Sequence, residues 1–309
     1  MGIAEMTRYA LGIDIGATNT RIAVVDSAGN ILASEHLPSR MAEGAPFFAE
    51  VGARAHSLAR SYQVVAVGAG TAGQIHHATG TYLPGLYPQA PWVGVPLRDI
   101  LAEATHLPTF VDNDCKTHAY AELKLGAGRG YTDFISLTLG TGLGGGIIAN
   151  GELVQGAKGI AGHVGHISID PAGPPCPCGN RGCLELFASG TAVARLASAQ
   201  LGREITSPEV FRLAAAGDAA AQSVLETMAT ALSRGLGAMA NMFNPQLFIL
   251  GGSIMQWYPL LEETTRRSFQ ASAMTELQDT PIVTSPIGGA GGVIGAALYA
   301  LDQVERGRD

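Results

Sequence analysis

Two stretches of the chain repeat one plan, and that repetition constrains the fold more than any other feature. Residues 9–37, YALGIDIGATNTRIAVVDSAGNILASEHL, read as a strand, a glycine turn, a strand, a Ser-Ala-Gly-Asn turn and a third strand. Short apolar runs rich in Ile and Val, punctuated by Gly, Asn and Asp, are what consecutive hairpins require. The same order returns in DFISLTLGTGLGGGIIANGELVQG: Phe134 to Leu139, a glycine turn, Gly146 to Ala149, an Asn-Gly turn and another short strand. Two matching units about half a chain apart predict duplicated domains.

The intervening segments set the class. FFAEVGARAHSLARSY and LRDILAEATH carry apolar residues at helical spacing, VVAVGAGTAG reads as a buried strand, and PTFVDND as a strand running into the helix CKTHAYAELKLG. Beyond the second hairpin unit, SGTAVARLASAQ, SPEVFRLAAAG and AAQSVLETMATALSRGLGAMANMF are helical. The strand QLFILGGS, the helix YPLLEETTRRSF, the strand PIVTSPIG and a last helix starting at GGVIGAALYALDQV follow. Alternating strands and helices predict an α/β protein. With 309 residues, 47% of them hydrophobic, the chain exceeds the roughly 100–200 residues of one domain. The predicted division is an N-terminal domain over 1–115, completed by the helix within 292–309, and a C-terminal domain over 116–291. No Pro- or Ser-rich linker separates them, which favours two domains sharing a cleft.

A net charge of −7 provides no basic footprint for nucleic acid or an anionic membrane surface. Glu5 and Arg8 interrupt the N-terminal MGIAEMTRYALGIDIG, so it does not read as a secretory signal. No run approaches the roughly 20 apolar residues of a membrane span. The expected location is cytoplasmic. Four cysteines in such a chain are too few for a disulfide framework.

The glycine turns DIGATNTR and LGTGLGGG each follow one strand and enter another. Glycine brings backbone N–H groups close to an anion, and Thr18, Asn19 and Thr141 add polar groups, so both turns are candidate phosphate cradles. Hairpin geometry alone would also call for glycine there. The lysine-containing P-loop pattern is absent. Gly140, Gly142 and Gly145 fit the dinucleotide spacing G-x-G-x-x-G, yet a strand follows them where that motif opens a helix. A third step, Gly251-Gly252 in FILGGSIM, ends a strand; it could receive a nucleobase or ribose, or serve close packing. In FVDND, Asp114 stands where a strand gives way to a helix, a place for a general base or for a helix N-cap. His76 and His77 in GQIHHATG read as surface residues, Gly73 as a possible neighbour of substrate. YLPGLYPQAPW is a Pro- and aromatic-rich loop ahead of a helix.

Three cysteines fall within GHVGHISIDPAGPPCPCGNRGCLE, together with His163 and His166. Zinc takes four tetrahedral Cys and His ligands, and Cys3His is a common structural set. Cys176, Cys178 and Cys183 with His166 as the fourth ligand would make a closed site with no open position for water, hence a structural one. Thiols buried as small hydrophobes are the alternative, which the polar Cys-Pro-Cys-Gly loop disfavours. Cys115 lies outside the set.

Together and in this order, LGIDIGATNTR, VDND, LTLGTGLGGG, GIAGHVGHISID, CPCGNRGCLE and FILGGS resemble the ROK family of sugar kinases and repressors over nearly the whole chain. The resemblance implies an actin-like ATPase (ribonuclease H-like) fold, with ATP and a sugar in the cleft between two α/β domains. By the same likeness Asp114 is the base that takes the proton of the sugar's 6-hydroxyl, and Asn113 and Asp114 hold neighbouring hydroxyls. Asp14 positions the Mg2+ of MgATP; Gly16, Ala17, Thr18 and Asn19, with Gly140, Thr141 and Gly142, face the phosphates. Gly251 and Gly252 lie near the adenosine. His166 binds Zn2+ through one ring nitrogen and turns the other to the sugar, which Glu185 and His163 also contact. The family's usual E-x-G-H reads here His163-Val164-Gly165-His166. That variant, with the D-P-x-G-P-x-C-x-C-G run after it, is similar to the branch of the family acting on N-acetylmannosamine. Glucose or another hexose is the alternative, and a sugar sensor without catalysis the rival from another class. DNA-binding members carry a helix-turn-helix domain ahead of the first glycine turn, where this sequence has only a short stretch, so no nucleic-acid partner is expected. The resemblance also implies a homodimer.

Overall fold

The computed structural model describes residues 8–85 and 88–307. MGIAEMT at the N-terminus, Leu86 and Tyr87 of the aromatic loop, and the last two residues of the expected terminal segment lie outside the described residues. The chain forms two compact units. One comprises the described residues up to 129, residues 153–161 and those from 289 onward; the other comprises 130–152 and 162–288.

In the first unit, strands β1 (Tyr9–Ile15), β2 (Asn19–Asp26) and β3 (Ile31–Pro38) make the consecutive hairpins, followed by α1 (Ala45–Ala59) and β4 (Val64–Thr71). A small hairpin of β5 (Ile75–His76) and β6 (Thr81–Tyr82), then α2 (Leu97–Thr105), β7 (Thr109–Asn113) and α3 (Asp114–Leu125), complete this run. The sheet order is β3-β2-β1-β4-β7. β1 pairs antiparallel with β2 and parallel with β4, and β7 joins β4 in parallel. Ile13, Ile15, Val67 and Val111 face one side, where they bury with Phe47, Phe48, Val51 and Leu101 of α1 and α2.

The second unit repeats this order. Its elements are β8 (Phe134–Leu139), β9 (Leu143–Ala149), β10 (Glu152–Leu153), the short α4 (Glu185–Ala188), α5 (Gly190–Leu201), α6 (Ser207–Ala215), α7 (Ala219–Phe243), β11 (Leu247–Gly251), α8 (Glu262–Gln270) and β12 (Ile282–Thr284). The sheet reads β10-β9-β8-β11-β12, with β8 antiparallel to β9 and parallel to β11.

The last helix, α9 (Gly291–Glu305), returns to the first unit and covers the other face of its sheet. Its approach is closer than side chains allow. A Cβ on Gly12 would fall 2.0 Å from the carbonyl oxygen of Val293, and one on Gly68 1.8 Å from that of Ala296. Helix α3 packs along α9, with Gly291 against the ring of His118, Gly295 against the carbonyl of Thr117, and Tyr120 edge-on to Tyr299 at 5.2 Å between ring centroids. That packing places α3 in the first unit, past the boundary at residue 115 expected from the sequence.

Several elements differ from the sequence reading. Asp114 is the first helical residue, not the cap: Asn113 keeps an extended backbone, and its side chain accepts the N–H of Cys115. The segment read as one helix from Tyr258 divides into a 3-10 turn over Ser253–Leu260 and α8, because Pro259 has no N–H to continue the ladder. β9 starts at Leu143, three residues early, since the bare Gly145 lets the carbonyl of Ser136 approach. His76 is partly buried in the β5–β6 pair and not a surface residue, whereas His77 is exposed. Among the described residues no helix is long and apolar enough to cross a membrane.

Candidate active site

In the first unit the candidate residues collect at one end of the sheet, where β1, β4 and β7 finish. Asp14 is the penultimate residue of β1, and Gly16, Ala17 and Thr18 form the turn into Asn19, first residue of β2. The turn is closed by Gly16 N–H donating to the Asn19 carbonyl at 3.0 Å. Asn113, at the end of β7, donates through Nδ2 to the carbonyls of Gly73 at 3.0 Å and Thr71 at 3.4 Å, which ties Gly73 to the start of α3. Gly70 permits this junction: a Cβ there would clash with Thr117 and crowd the Cα of Asp114.

Asp114 and Asp14 are both partly buried and lie within electrostatic reach of each other. Burial raises the Asp114 carboxyl above the ordinary carboxylate range, opposed by the N–H of Cys115 2.9 Å from its Oδ1. Burial pushes Asp14 up to about 7, with the charge of Asp114 adding and Arg21 opposing. Gly292 of α9 backs directly onto the Asp14 carboxylate. Arg21 was missed in the sequence reading. It is the antiparallel partner of Asp14 across β1–β2, and its Nε is buried without a hydrogen-bond partner. The signal was available, since positions 14 and 21 are equidistant from the turn and so share a face.

A pH dependence follows. Ordinary Asp loses its proton near 3.9, so between about pH 4 and 7 the folded chain retains a proton at Asp14 that the unfolded chain has released. Stability of the ligand-free protein therefore falls as pH rises through that window. Asp14→Asn should remove this loss, so that its Tm exceeds that of the wild type increasingly from pH 5 to pH 8. Equal gaps at every pH in thermal melts would contradict the assignment.

In the second unit, Gly140, Thr141 and Gly142 form the turn between β8 and β9, with Gly140 N–H donating to the Gly142 carbonyl at 3.0 Å. The turn is joined to the start of α5: the N–H of Gly190 donates to the Gly140 carbonyl at 2.8 Å, and Thr191 donates to the Thr141 carbonyl through N–H and Oγ1. Gly251 ends β11, and Gly252, at φ +92°, packs its backbone on Leu139. The second unit thus gathers both of its glycine steps. Glu185 joins them from α4, accepting the N–H of Leu143 at 2.8 Å through Oε2; a side chain on Gly142 would collide with that oxygen.

The cysteine loop folds as its glycines allow, with Gly179 at φ +89° and Gly182 at φ +61°. It brings His166, Cys176, Cys178 and Cys183 together, their ligand atoms all within 4.8 Å of one another. His166 Nδ1 stands 3.7 Å from Cys176 Sγ, and Cys178 Sγ 3.5 Å from Cys183 Sγ. Tetrahedral ligands about 2.3 Å from zinc are separated by about 3.8 Å, so the set fits such an ion. All the cysteines are free thiols. The His163 ring lies 6.4 Å from that of His166.

Two α/β units with the same strand order, each with a glycine hairpin at its first strand pair, define the actin-like ATPase class. Residues 10–303 match the model of the ROK family, and the chain belongs to that family. It is 33% identical to a glucokinase of Halalkalibacterium halodurans over 98% of both chains. It is 31% identical to an N-acetylmannosamine kinase of Escherichia fergusonii, over 94% of this chain and 97% of that one. A ROK glucokinase of Streptomyces griseus, solved with glucose and AMPPNP, superposes with a TM-score of 0.80 at 32% identity, covering 95% of this chain and 99% of that one.

Proposed function

We propose that the protein is a cytoplasmic, homodimeric kinase that transfers the γ-phosphoryl group of ATP to the 6-hydroxyl of a hexose, with N-acetylmannosamine the leading acceptor. The observation that carries this reading is the carboxylate of Asp114, partly buried just past the end of β7, on the first turn of a helix, and raised in pKa by that burial. Asp114 takes the proton of the 6-hydroxyl; the freed oxygen forms its bond to the γ-phosphorus as the bond from that phosphorus to the β,γ-bridging oxygen breaks and ADP departs. The proton then leaves Asp114 for solvent. Such transfers ask mainly for positioning and for offsetting phosphoryl charge.

The remaining roles follow from chemistry and placement. The Gly16 and Gly140 N–H groups close their turns, so the phosphates are offered the other backbone N–H groups of Gly16 to Asn19 and Gly140 to Gly142, with the Thr18 and Thr141 hydroxyls. Arg21 offers its guanidinium to the same anions. Asp14 would hold Mg2+, a hard cation suited to carboxylate oxygen, which neutralises phosphate charge when bound. Among the described residues no basic side chain forms a direct ion pair with Asp14, so the cation would add to the more distant positive charge of Arg21. Gly251 and Gly252 admit the adenosine. Asn113, Gly73, His163, His166 and Glu185 hold the sugar. Cys176, Cys178, Cys183 and His166 Nδ1 would bind Zn2+, which fixes their loop and leaves His166 Nε2 for a hydroxyl.

His163 favours the N-acetylated acceptor. A carboxylate in its place could only accept hydrogen bonds, whereas an imidazole N–H can donate to an acetamido carbonyl. Glucose is the second reading, supported by the 33% identical glucokinase. An ADP-release assay with N-acetylmannosamine, N-acetylglucosamine, glucose, mannose, fructose and allose should show the highest kcat/KM for N-acetylmannosamine. A preference for glucose would replace the substrate; no turnover with any of them would remove the kinase.

A further inference from the structure

Two residues on either side of Asp114 stand a pair of charges that the reaction does not use. Asp112 is 2% exposed and Lys116 1% exposed. Lys116 Nζ lies 2.8 Å from Asp112 Oδ1, donates to the Gly159 carbonyl at 2.9 Å and donates to Gln155 Oε1. Gln155 Nε2 donates in turn to Asp112 Oδ2 at 2.7 Å, and the Asn113 N–H to Asp112 Oδ1 at 2.7 Å. The three side chains make a closed ring, buried at Asp112 and Lys116 and partly buried at Gln155.

This arrangement is poorly suited to stability alone. A buried ion pair loses the hydration of both charges. Lys116 also sits in the first turn of α3, where a cation opposes the helix dipole. What the ring gains is geometry. It fixes Asn113 and the first turn of α3 from below, while Asn113 Nδ2 holds Gly73 and Thr71 on the other side. It also grips residues 153–161, which leave the second unit's sheet, pack with the first unit and lead two residues later to His163. Within that segment Gly159, at φ +84°, lies against the backbone of His77 where no side chain could fit.

We propose that Lys116 and Gln155 are positioning residues: the Asp112–Lys116–Gln155 ring sets the direction of the Asp114 carboxylate and anchors the segment that leads into the sugar-binding histidines. The proposal rests on the kinase reading above. A displacement of about 1 Å remote from the chemistry is enough for about a 100-fold loss.

Gln155→Met keeps volume and removes its two bonds within the ring, and a longer one to Tyr299 Oη at 3.4 Å, without stranding a charge; Lys116→Met leaves Asp112 unpaired. Both are to be compared with Tyr120→Phe, which loses the bond to Asp302 on the same helix pair and removes no hydrogen bond of the ring. With N-acetylmannosamine and glucose as acceptors, Gln155→Met should raise acceptor KM and lower kcat, together at least about tenfold in kcat/KM, with the KM for ATP within about twofold. Tyr120→Phe should lower Tm and leave both KM values unchanged. Wild-type acceptor kinetics in Gln155→Met, or equal rises in both KM values, would overturn the proposal. If Lys116→Met does not fold, Gln155→Met decides. Should the wild type phosphorylate none of the six sugars named above, the kinase reading fails by itself. The ring is then read by hydrogen exchange: faster exchange of residues 114–118 and 156–163 in Gln155→Met supports it, and unchanged exchange refutes it.

Discussion

Asp114→Asn should abolish turnover while leaving a folded protein that still binds its ligands. General-base catalysis contributes roughly 10²–10⁴-fold, and the amide cannot accept the hydroxyl proton, so kcat is expected to fall by about 1,000-fold with the KM for ATP little changed. Burial holds the native carboxyl above the usual carboxylate range, so it retains a proton at pH values where the unfolded chain has lost it. The charged form is then a cost to the folded state, and a neutral side chain should raise Tm at pH 8 more than at pH 5. Loss of activity together with gain of stability is the signature of a base kept under desolvation. In the wild type, log kcat should fall on the acid side with an apparent pKa above that of an ordinary aspartate. A variant with undiminished kcat would end the assignment.

If the Cys3His set holds the proposed zinc, its removal should separate the two substrates. Chelation, or Cys178→Ser, releases the loop from His166 to Cys183. Its own backbone ties run within the loop and across its ends, such as the Cys176 N–H to Asn180 carbonyl bond at 2.8 Å and the Leu184 N–H to Ile167 carbonyl bond at 2.9 Å. Cys183 is fully buried, and burial with the neighbouring thiols drives its pKa up. Without a cation the Cys183 thiol stays protonated and the cluster loses its charge-based attraction. Loss of support around a metal ligand typically costs 10–100-fold, so sugar KM should rise by up to about 100-fold. The Gly140–Gly142 turn is held by the first residues of α5 as well as by Glu185, so the nucleotide Kd should change by less than about twofold. Isothermal titration with AMPPNP and with the sugar on metal-free protein tests this; equal losses of both affinities would contradict it.

Local chemistry made much of this legible in the sequence. The paired glycine hairpins, the strand leading to Asp114 and the cysteine loop each depend on neighbours a few residues apart, and the structure shows them where spacing put them. Long-range packing was less readable. Lys116 follows Asp112 at i,i+4, a spacing seen on many solvent-facing helices; only the tertiary arrival of Gln155 and Gly159 shows that this pair is buried. Asn113 rather than Asp114 caps α3 because the strand keeps its extended backbone one residue longer, a choice made by pairing with β4. His76 sits in a two-residue strand too short to give a periodic signal.

The return of α9 to the first sheet bears on biosynthesis. Until the ribosome has passed residue 305, Gly12, Ala23 and Gly68 on that sheet have no helix over them, although β1 to β7 were made long before. The second unit has all its strands by Thr284. The half of the molecule synthesised first is therefore the half finished last, and a nascent chain arrested before Gly291 would hold an exposed apolar face awaiting a chaperone or a protease.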